Sequence, residues 1–152
     1  MTQQTIVIVN TGCANISSVK FALERLGVSV TVSDDPAVIK GADKVFLPGV
    51  GAAGAAMTSI TAKQLIPTLQ GLTQPVLGVC LGMQLMVEQS DEATTGTIDC
   101  LKLLPGHVKR MQAGELRLPH MGWNTISPVG DSPLFKGLGE GTYFYFVHSF
   151  AV

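Results

Sequence analysis

Short apolar runs recur along the first part of the chain, and each gives way to a stretch with helical spacing. Thr5–Val9 is rich in β-branched residues and uninterrupted, the pattern of a parallel strand covered on both faces. Asn10-Thr11-Gly12-Cys13-Ala14-Asn15 reads as a turn. Asn15 is placed to cap a helix whose apolar stripe is Ile16, Val19, Leu23 and Leu26, with Gly27 as its stop. Val28–Val32 predicts a second strand, Asp34-Asp35-Pro36 a short helical turn, and Lys44–Leu47 a third strand. Helical segments are expected from about Ala53 to Gln70, with Gly71 as their end. Pro75–Val79 predicts a fourth strand that runs directly into Cys80 and then a helix through about Gln89. Between Asp91 and Asp131 the periodicity weakens and Gly and Pro are more frequent. Thr142–Val147 predicts a last, aromatic strand. Strands alternating with helices predict an α/β fold, a doubly wound and mostly parallel sheet, in a single domain over residues 1–152.

The chain is long enough for a real core. Although 46% of it is hydrophobic, the longest apolar stretch, Val45–Met57, is broken by Pro48, Gly49, Gly51 and Gly54 and is too short to span a bilayer. The start, Met1-Thr2-Gln3-Gln4, has no basic side chain, and only Ile6–Val9 follows as an apolar stretch, so a secretory leader is not expected. The net charge is −1 and the ten Lys and Arg are scattered, which argues against a nucleic-acid partner. The three cysteines, Cys13, Cys80 and Cys100, are widely spaced without a C-x-x-C, which argues against a disulfide framework or a zinc site. That fits a reducing cytoplasm with no metal or cofactor. The sequence stops at Ala151-Val152, directly after an apolar strand, and the expectation is a domain incomplete at its C-terminus, because such a strand needs a covering layer.

The chemistry concentrates at Gly78-Val79-Cys80-Leu81-Gly82, placed where a strand becomes a helix. This is the cysteine form of a nucleophile elbow. The sharp turn holds the nucleophile in a strained conformation, and glycines two residues to either side remove side chains that would collide. Backbone N–H groups at the helix start favour thiolate and aim at a developing oxyanion. A buried cysteine between packing glycines is the bland alternative. The position of the motif at a strand end, beside another glycine loop, favours the functional reading. That loop, Pro48-Gly49-Val50-Gly51, follows the third strand and so lies at the same carboxyl edge of the sheet. Its glycines allow a backbone N–H to turn toward a substrate oxygen.

A catalytic cysteine also needs a base oriented by a carboxylate or amide. His107, beside Lys109 and Arg110, reads as solvated. His120 reads as a loop residue in Pro119-His120-Met121-Gly122-Trp123-Asn124. His148 ends the last strand in Tyr145-Phe146-Val147-His148-Ser149-Phe150. None has a carboxylate two residues on, and each reads as structural or binding rather than as the base.

Gly78-Val79-Cys80-Leu81-Gly82-Met83-Gln84 resembles the nucleophile motif of triad (class I) glutamine amidotransferases. With Pro48–Gly51, Pro119–Asn124 and Tyr145–Phe150, the chain from Ile6 onward is similar to the glutaminase subunits of bacterial imidazole glycerol phosphate synthases, enzymes of histidine biosynthesis. The first motif is widely shared; the last two are specific to these subunits. The resemblance implies a flavodoxin-like fold, a Cys80 thioester with glutamine, and an oxyanion hole from Val50, Gly51 and Leu81. It implies that Gly49, Gln84, Glu92, Ser149 and Phe150 line the glutamine site. It also implies that ammonia passes to a separate (β/α)8 cyclase subunit, in a heterodimer contacted through Asn10, Asn15, Met121, Trp123 and Tyr145.

Asn10 stands where the family commonly has an acidic residue, and Phe150 replaces the usual Tyr, removing one hydroxyl. The family's His-Pro-Glu segment, which supplies base and orienting carboxylate, has no match in these residues. Losing a triad partner lowers the rate by about 10⁴-fold or more, so this sequence by itself is expected to be a very poor glutaminase. Another triad amidotransferase, a cysteine hydrolase of the same fold, and a non-catalytic binding protein stay open as alternatives.

Overall fold

A computed structural model describes residues 4–152. Met1, Thr2 and Gln3, on which the expectation about a leader falls, lie outside the described residues. The backbone forms two compact units, one running through Lys109 and including Val152, the other spanning Arg110–Ala151.

The first unit is built on a parallel sheet of β1 (Ile6–Val9), β2 (Val30–Ser33), β3 (Lys44–Gly49) and β4 (Val76–Cys80), in the order β2-β1-β3-β4. The predicted parallel α/β sheet is therefore present. The chain winds outward from β1 in one direction to β2 and in the other through β3 to β4. The reversal creates a switch point at the carboxyl ends of β1 and β3, where crossover loops leave room for a ligand. The crossovers are α1 (Ile16–Arg25), α2 (Pro36–Lys40), and the pair α3 (Ala53–Ala62) and α4 (Ile66–Gln70). Gln64, at φ 55°, separates α3 from α4. Asn15 caps α1 by accepting from the Ser18 N–H, and Asp35 caps α2 through the Ala37 N–H.

Val7, Val9, Val45 and Leu47 from the strands pack with Ile39, Ala56, Met57, Ile60 and Leu69 from the helices and with Leu65, which precedes α4. The stripe expected on α1 is only partly covered: Ile16, Val19 and Leu23 are half-buried, and Leu26 is 77% exposed because it lies past the last helical turn.

A correction falls after Cys80. The expected helix through Gln89 is the four-residue α5 (Leu81–Gln84). Beyond it the chain turns back into β5 (Gln89–Ser90), which pairs antiparallel with β6 (Ile98–Asp99) and parallel with β7 (His107–Arg110). Leu85 and Val87 are buried there, and a short apolar run of this kind does not distinguish helix from strand by periodicity.

In the second unit β8 (His120–Thr125) pairs antiparallel with β9 (Tyr143–His148), with His120 opposite His148 and Trp123 opposite Tyr145. The Pro119–Asn124 segment, expected to be a loop, is thus mostly strand. A short 3-10 turn, Pro133–Phe135, and β10 (Phe150–Ala151) complete the unit.

Asp43 ties the amino ends of β1 and β3 together. Its carboxylate accepts from the Thr5 N–H at 2.7 Å and the Thr5 hydroxyl at 2.8 Å, and these bonds hold its pKa below the usual carboxylate value. Asp34 beside Lys63, Asp91 beside His107 and Asp99 beside Gln89 and Lys102 are depressed in the same direction by their hydrogen-bond partners. A carboxyl with a lowered folded-state pKa binds its proton more weakly in the native state. Its contribution is complete above the unfolded value of about 3.9 and is lost as pH falls through the folded value. The urea midpoint is therefore expected to stay nearly flat from pH 7 to pH 5 and to drop below pH 4. Asp43→Asn is expected to lower the neutral-pH midpoint and flatten the acid limb. An unchanged acid limb in that variant would count against the staple.

Candidate active site

Between β4 and α5 there is no intervening loop: Cys80 is the last strand residue and Leu81 the first helical one. The whole change of direction falls on Cys80, at φ 54° and ψ −121°. Such a conformation costs a residue with a side chain about 1–3 kcal/mol and persists only where packing dictates it. The packing is visible in the glycines. A Cβ on Gly82 would run into the Leu47 carbonyl and sit 2.9 Å from the Pro48 carbonyl carbon. One on Gly78 would meet the Met83 backbone nitrogen at 2.7 Å, and one on Gly49 would meet the Gly82 nitrogen at 2.6 Å. The helix backbone lies directly on the strands, and Leu81 and Leu85 are buried in the same core as Val9 and Leu47. Cys80 is left exposed at the bend.

Gly49 is the register partner of Cys80 in the β3–β4 pairing, so the glycine loop leaves the sheet beside the thiol. Leu81 opens α5, in the first turn, where backbone N–H groups lack intrahelical partners. With only one turn behind it, that end has a smaller helix dipole than a helix reaching Gln89 would supply.

The neighbouring donor is committed elsewhere. The Val50 N–H donates to the Cys13 carbonyl at 3.1 Å, joining the loops that follow β1 and β3 at the switch point. The 10–15 loop is itself pinned. The Ser59 hydroxyl donates to the Thr11 carbonyl, the Gly12 N–H to Asn10 Oδ1 at 3.2 Å, and the Cys13 N–H to Thr11 Oγ1 at 3.4 Å. Asn10 and Asn15 are thus engaged in shaping this loop and its helix cap. Gly51, at φ +87°, has open space around its α-carbon. Sequence reasoning gave no sign of the Cys13–Val50 bond, since a carbonyl acceptor carries no residue signature.

Gln84 is buried at the end of α5. Glu92 is half-buried just after β5, and burial raises its pKa above the ordinary value. Ser149 and Phe150 belong to the second unit, where the Met111 N–H donates to the Ser149 carbonyl at 2.9 Å and His148 Nδ1 lies 2.9 Å from the Phe150 carbonyl.

The histidines have distinct surroundings. His107 is half-buried rather than solvated, with Nε2 2.7 Å from Asp91 Oδ1, a partner 16 residues away that local spacing did not reveal. His120 stacks on Phe146 at 5.1 Å between ring centroids. Among the described residues no cluster of three or more metal-ligating side chains forms, and no helix is long and apolar enough to cross a membrane.

On the β8–β9 ribbon, alternate residues share a face. Met121 and Trp123, with their cross-strand partners Val147 and Tyr145, form one such face, and it is open: Trp123 is 70%, Met121 62% and Tyr145 55% exposed. The Trp123 and Tyr145 rings meet edge to face at 5.5 Å. All three ribbon residues expected at a partner interface stand on this apolar face.

Residues 7–152 match the family model described as Glutamine amidotransferase class-I. The chain is 55% identical to the imidazole glycerol phosphate synthase subunit HisH 1 of Vibrio vulnificus (strain YJ016), over all of this chain and 76% of that protein. It is 56% identical to subunit HisH of Colwellia psychrerythraea, over 99% of this chain and 72% of that protein, and 51% identical to the Pasteurella multocida subunit, over 98% and 74%. With the elbow, the glycine loop and the sheet order in place, the chain belongs to the class I glutamine amidotransferase family, among the HisH subunits of imidazole glycerol phosphate synthase.

Proposed function

We infer that this chain is the glutamine-hydrolysing part of an imidazole glycerol phosphate synthase, and that its two units belong to one amidotransferase domain in the cytoplasm. The observation that carries the reading is the exposed Cys80 thiol at a positive-φ bend, in register with Gly49 of the loop beside it. In the proposed cycle the Cys80 sulfur attacks the side-chain amide carbon of glutamine. The oxyanion that forms takes the Leu81 N–H and a backbone N–H of the Val50–Gly51 segment. Ammonia leaves with a proton, the thioester remains, and water then releases glutamate and the free thiol. Val50 serves as a donor only once its bond to the Cys13 carbonyl opens. Gly49, Gln84, Glu92, Ser149 and Phe150 are assigned to the glutamine site. His107 and His148 already hold hydrogen-bond contacts, to Asp91 and to the Phe150 carbonyl, and the acceptor of the thiol's proton is assigned to neither, in line with the His-Pro-Glu base that the family resemblance implies.

The ammonia acceptor is a (β/α)8 cyclase subunit, docked on the Met121–Trp123–Tyr145 face, with Asn10 and Asn15 also at the contact. Exposed aromatic residues of this kind are the usual energetic centre of an interface. Trp123→Ala is expected to weaken cyclase binding by about 2 kcal/mol, roughly 30-fold in Kd, while the thermal midpoint stays within a degree or two. Titration calorimetry of the two subunits tests this. Unchanged affinity, or no complex with the wild-type chain, would remove the partner assignment. The relatives carry a single subunit name, so no observation favours another triad amidotransferase, a cysteine hydrolase or a non-catalytic binding protein.

A further inference from the structure

Glu92 sits at the start of a turn that is closed from several directions. The Asp91 N–H donates to the Val108 carbonyl at 2.9 Å, extending the β5–β7 pairing by one residue. The Glu92 N–H donates to the hydroxyl of buried Ser90 at 3.1 Å, and the Ala93 N–H to the Asp91 carbonyl at 2.8 Å. The Asp91 carboxylate then gathers the far side of the loop. Its Oδ1 accepts from the Thr97 hydroxyl at 3.0 Å and lies 2.7 Å from His107 Nε2. None of Asp91, Thr97 or His107 has a part in the chemistry described above.

We propose that His107 and Asp91 are positioning residues for glutamine, locking the 91–97 turn so that the neighbouring Glu92 carboxyl is held ready for the charged end of the substrate. The proposal rests on the reading of Glu92 as a glutamine-binding residue. The physical need for a lock lies in where Glu92 sits. Its carboxyl is half-buried, and burial disfavours its charged form. A slack turn would let that carboxylate swing out into water, and the bound geometry would have to be rebuilt each time glutamine entered. A turn fixed by a hydrogen-bonded histidine from the neighbouring strand β7 removes that reorganisation from the binding step. His107 does this through the carboxylate of the residue preceding Glu92, so a short displacement at Asp91 moves Glu92 directly.

Steady-state glutaminase kinetics of the assembled synthase provide the test. His107→Leu is expected to raise the KM for glutamine about tenfold with kcat within about twofold, the signature of lost ground-state positioning. His107→Gln, whose amide N–H can reach Asp91 as Nε2 does, is expected to return KM to within about threefold of wild type. Glu92→Ala is expected to raise KM by itself, and the Glu92→Ala/His107→Leu double variant to be no worse than Glu92→Ala alone, because one residue acts through the other. If Glu92→Ala leaves KM unchanged, the reading of Glu92 fails. If Glu92→Ala raises KM but His107→Leu does not, if the two effects add, or if the glutamine substitution fails to rescue, the positioning role is overturned. Should His107→Leu not fold, Asp91→Asn, which keeps the shape of the side chain, takes its place with the same expected rise in KM, and an unchanged KM there overturns the role equally.

Discussion

Cys80→Ser in the assembled synthase is expected to lower glutamine hydrolysis by about 10⁴-fold or more, without loss of fold or of cyclase binding. The sulfur is the only atom changed. The bend, the Leu81 N–H and the Gly49 register are backbone features that serine retains. Nothing at the elbow replaces a thiolate with an equally good nucleophile, because a hydroxyl needs a base to take its proton in the attack itself. Glycine at the same position separates chemistry from strain. Cys80 lies at φ 54° and ψ −121°, which a β-carbon opposes. Relief of that opposition, less the extra chain entropy of glycine, leaves Cys80→Gly more stable by about 1 kcal/mol. The variant is therefore expected to be inactive and to have a higher urea midpoint. A lower midpoint would show that the bend is not strained by its side chain. Substantial activity in Cys80→Ser would remove the sulfur from the mechanism.

Gly82→Ala is expected to be the most damaging single-methyl change in the first unit, costing about 3–5 kcal/mol. Domains of this size have only about 5–15 kcal/mol in hand. The added carbon meets backbone on β3, the Leu47 carbonyl and the Pro48 carbonyl carbon, not the movable end of a side chain. β3 is itself fixed by pairing to β1 and β4 on either side, so neither partner can yield. Gly82 does not stand among the positive-φ glycines, which makes its cost steric. Gly51 is the converse case, with φ +87° and open space around it, so Gly51→Ala is expected to cost only about 1–2 kcal/mol. Urea unfolding of the pair separates the two causes. Equal midpoints would mean that α5 does not press on β3.

Those same glycines explain why the elbow could be read from the sequence. A strand of a parallel sheet is apolar, and a helix laid flat on it has to be glycine where the backbones touch. Val76–Cys80 followed by Gly82 announces both. The parallel sheet was legible for the same reason, because Ile6–Val9 and Val45–Leu47 are β-branched or apolar runs bounded by turn residues. The elements that sequence reasoning missed are short or inverted. β5 and β6 are two residues each, too short to alternate, and Gln89-Ser90 is polar enough to pass for a fraying helix end. On β8 the large apolar residues Met121 and Trp123 face outward, so a rule that places apolar residues inside reads the segment as irregular. The Val50–Cys13 and His107–Asp91 bonds join residues distant in sequence, and one of them uses backbone groups alone.

The three cysteines differ enough to make the central claim directly measurable. Cys100 is buried, and burial, with Asp99 nearby, raises its pKa. Cys13 is half-buried, with its sulfur 3.8 Å from the Ala55 carbonyl. Cys80 alone is open at the sheet's carboxyl edge. Intact-mass and peptide mapping of the assembled synthase, after brief exposure to a glutamine analogue with an electrophilic carbon in place of the amide, should show one adduct on Cys80 that excess glutamine prevents. An adduct on Cys13, labelling that glutamine does not slow, or no adduct at all would contradict the assignment of Cys80 as the nucleophile.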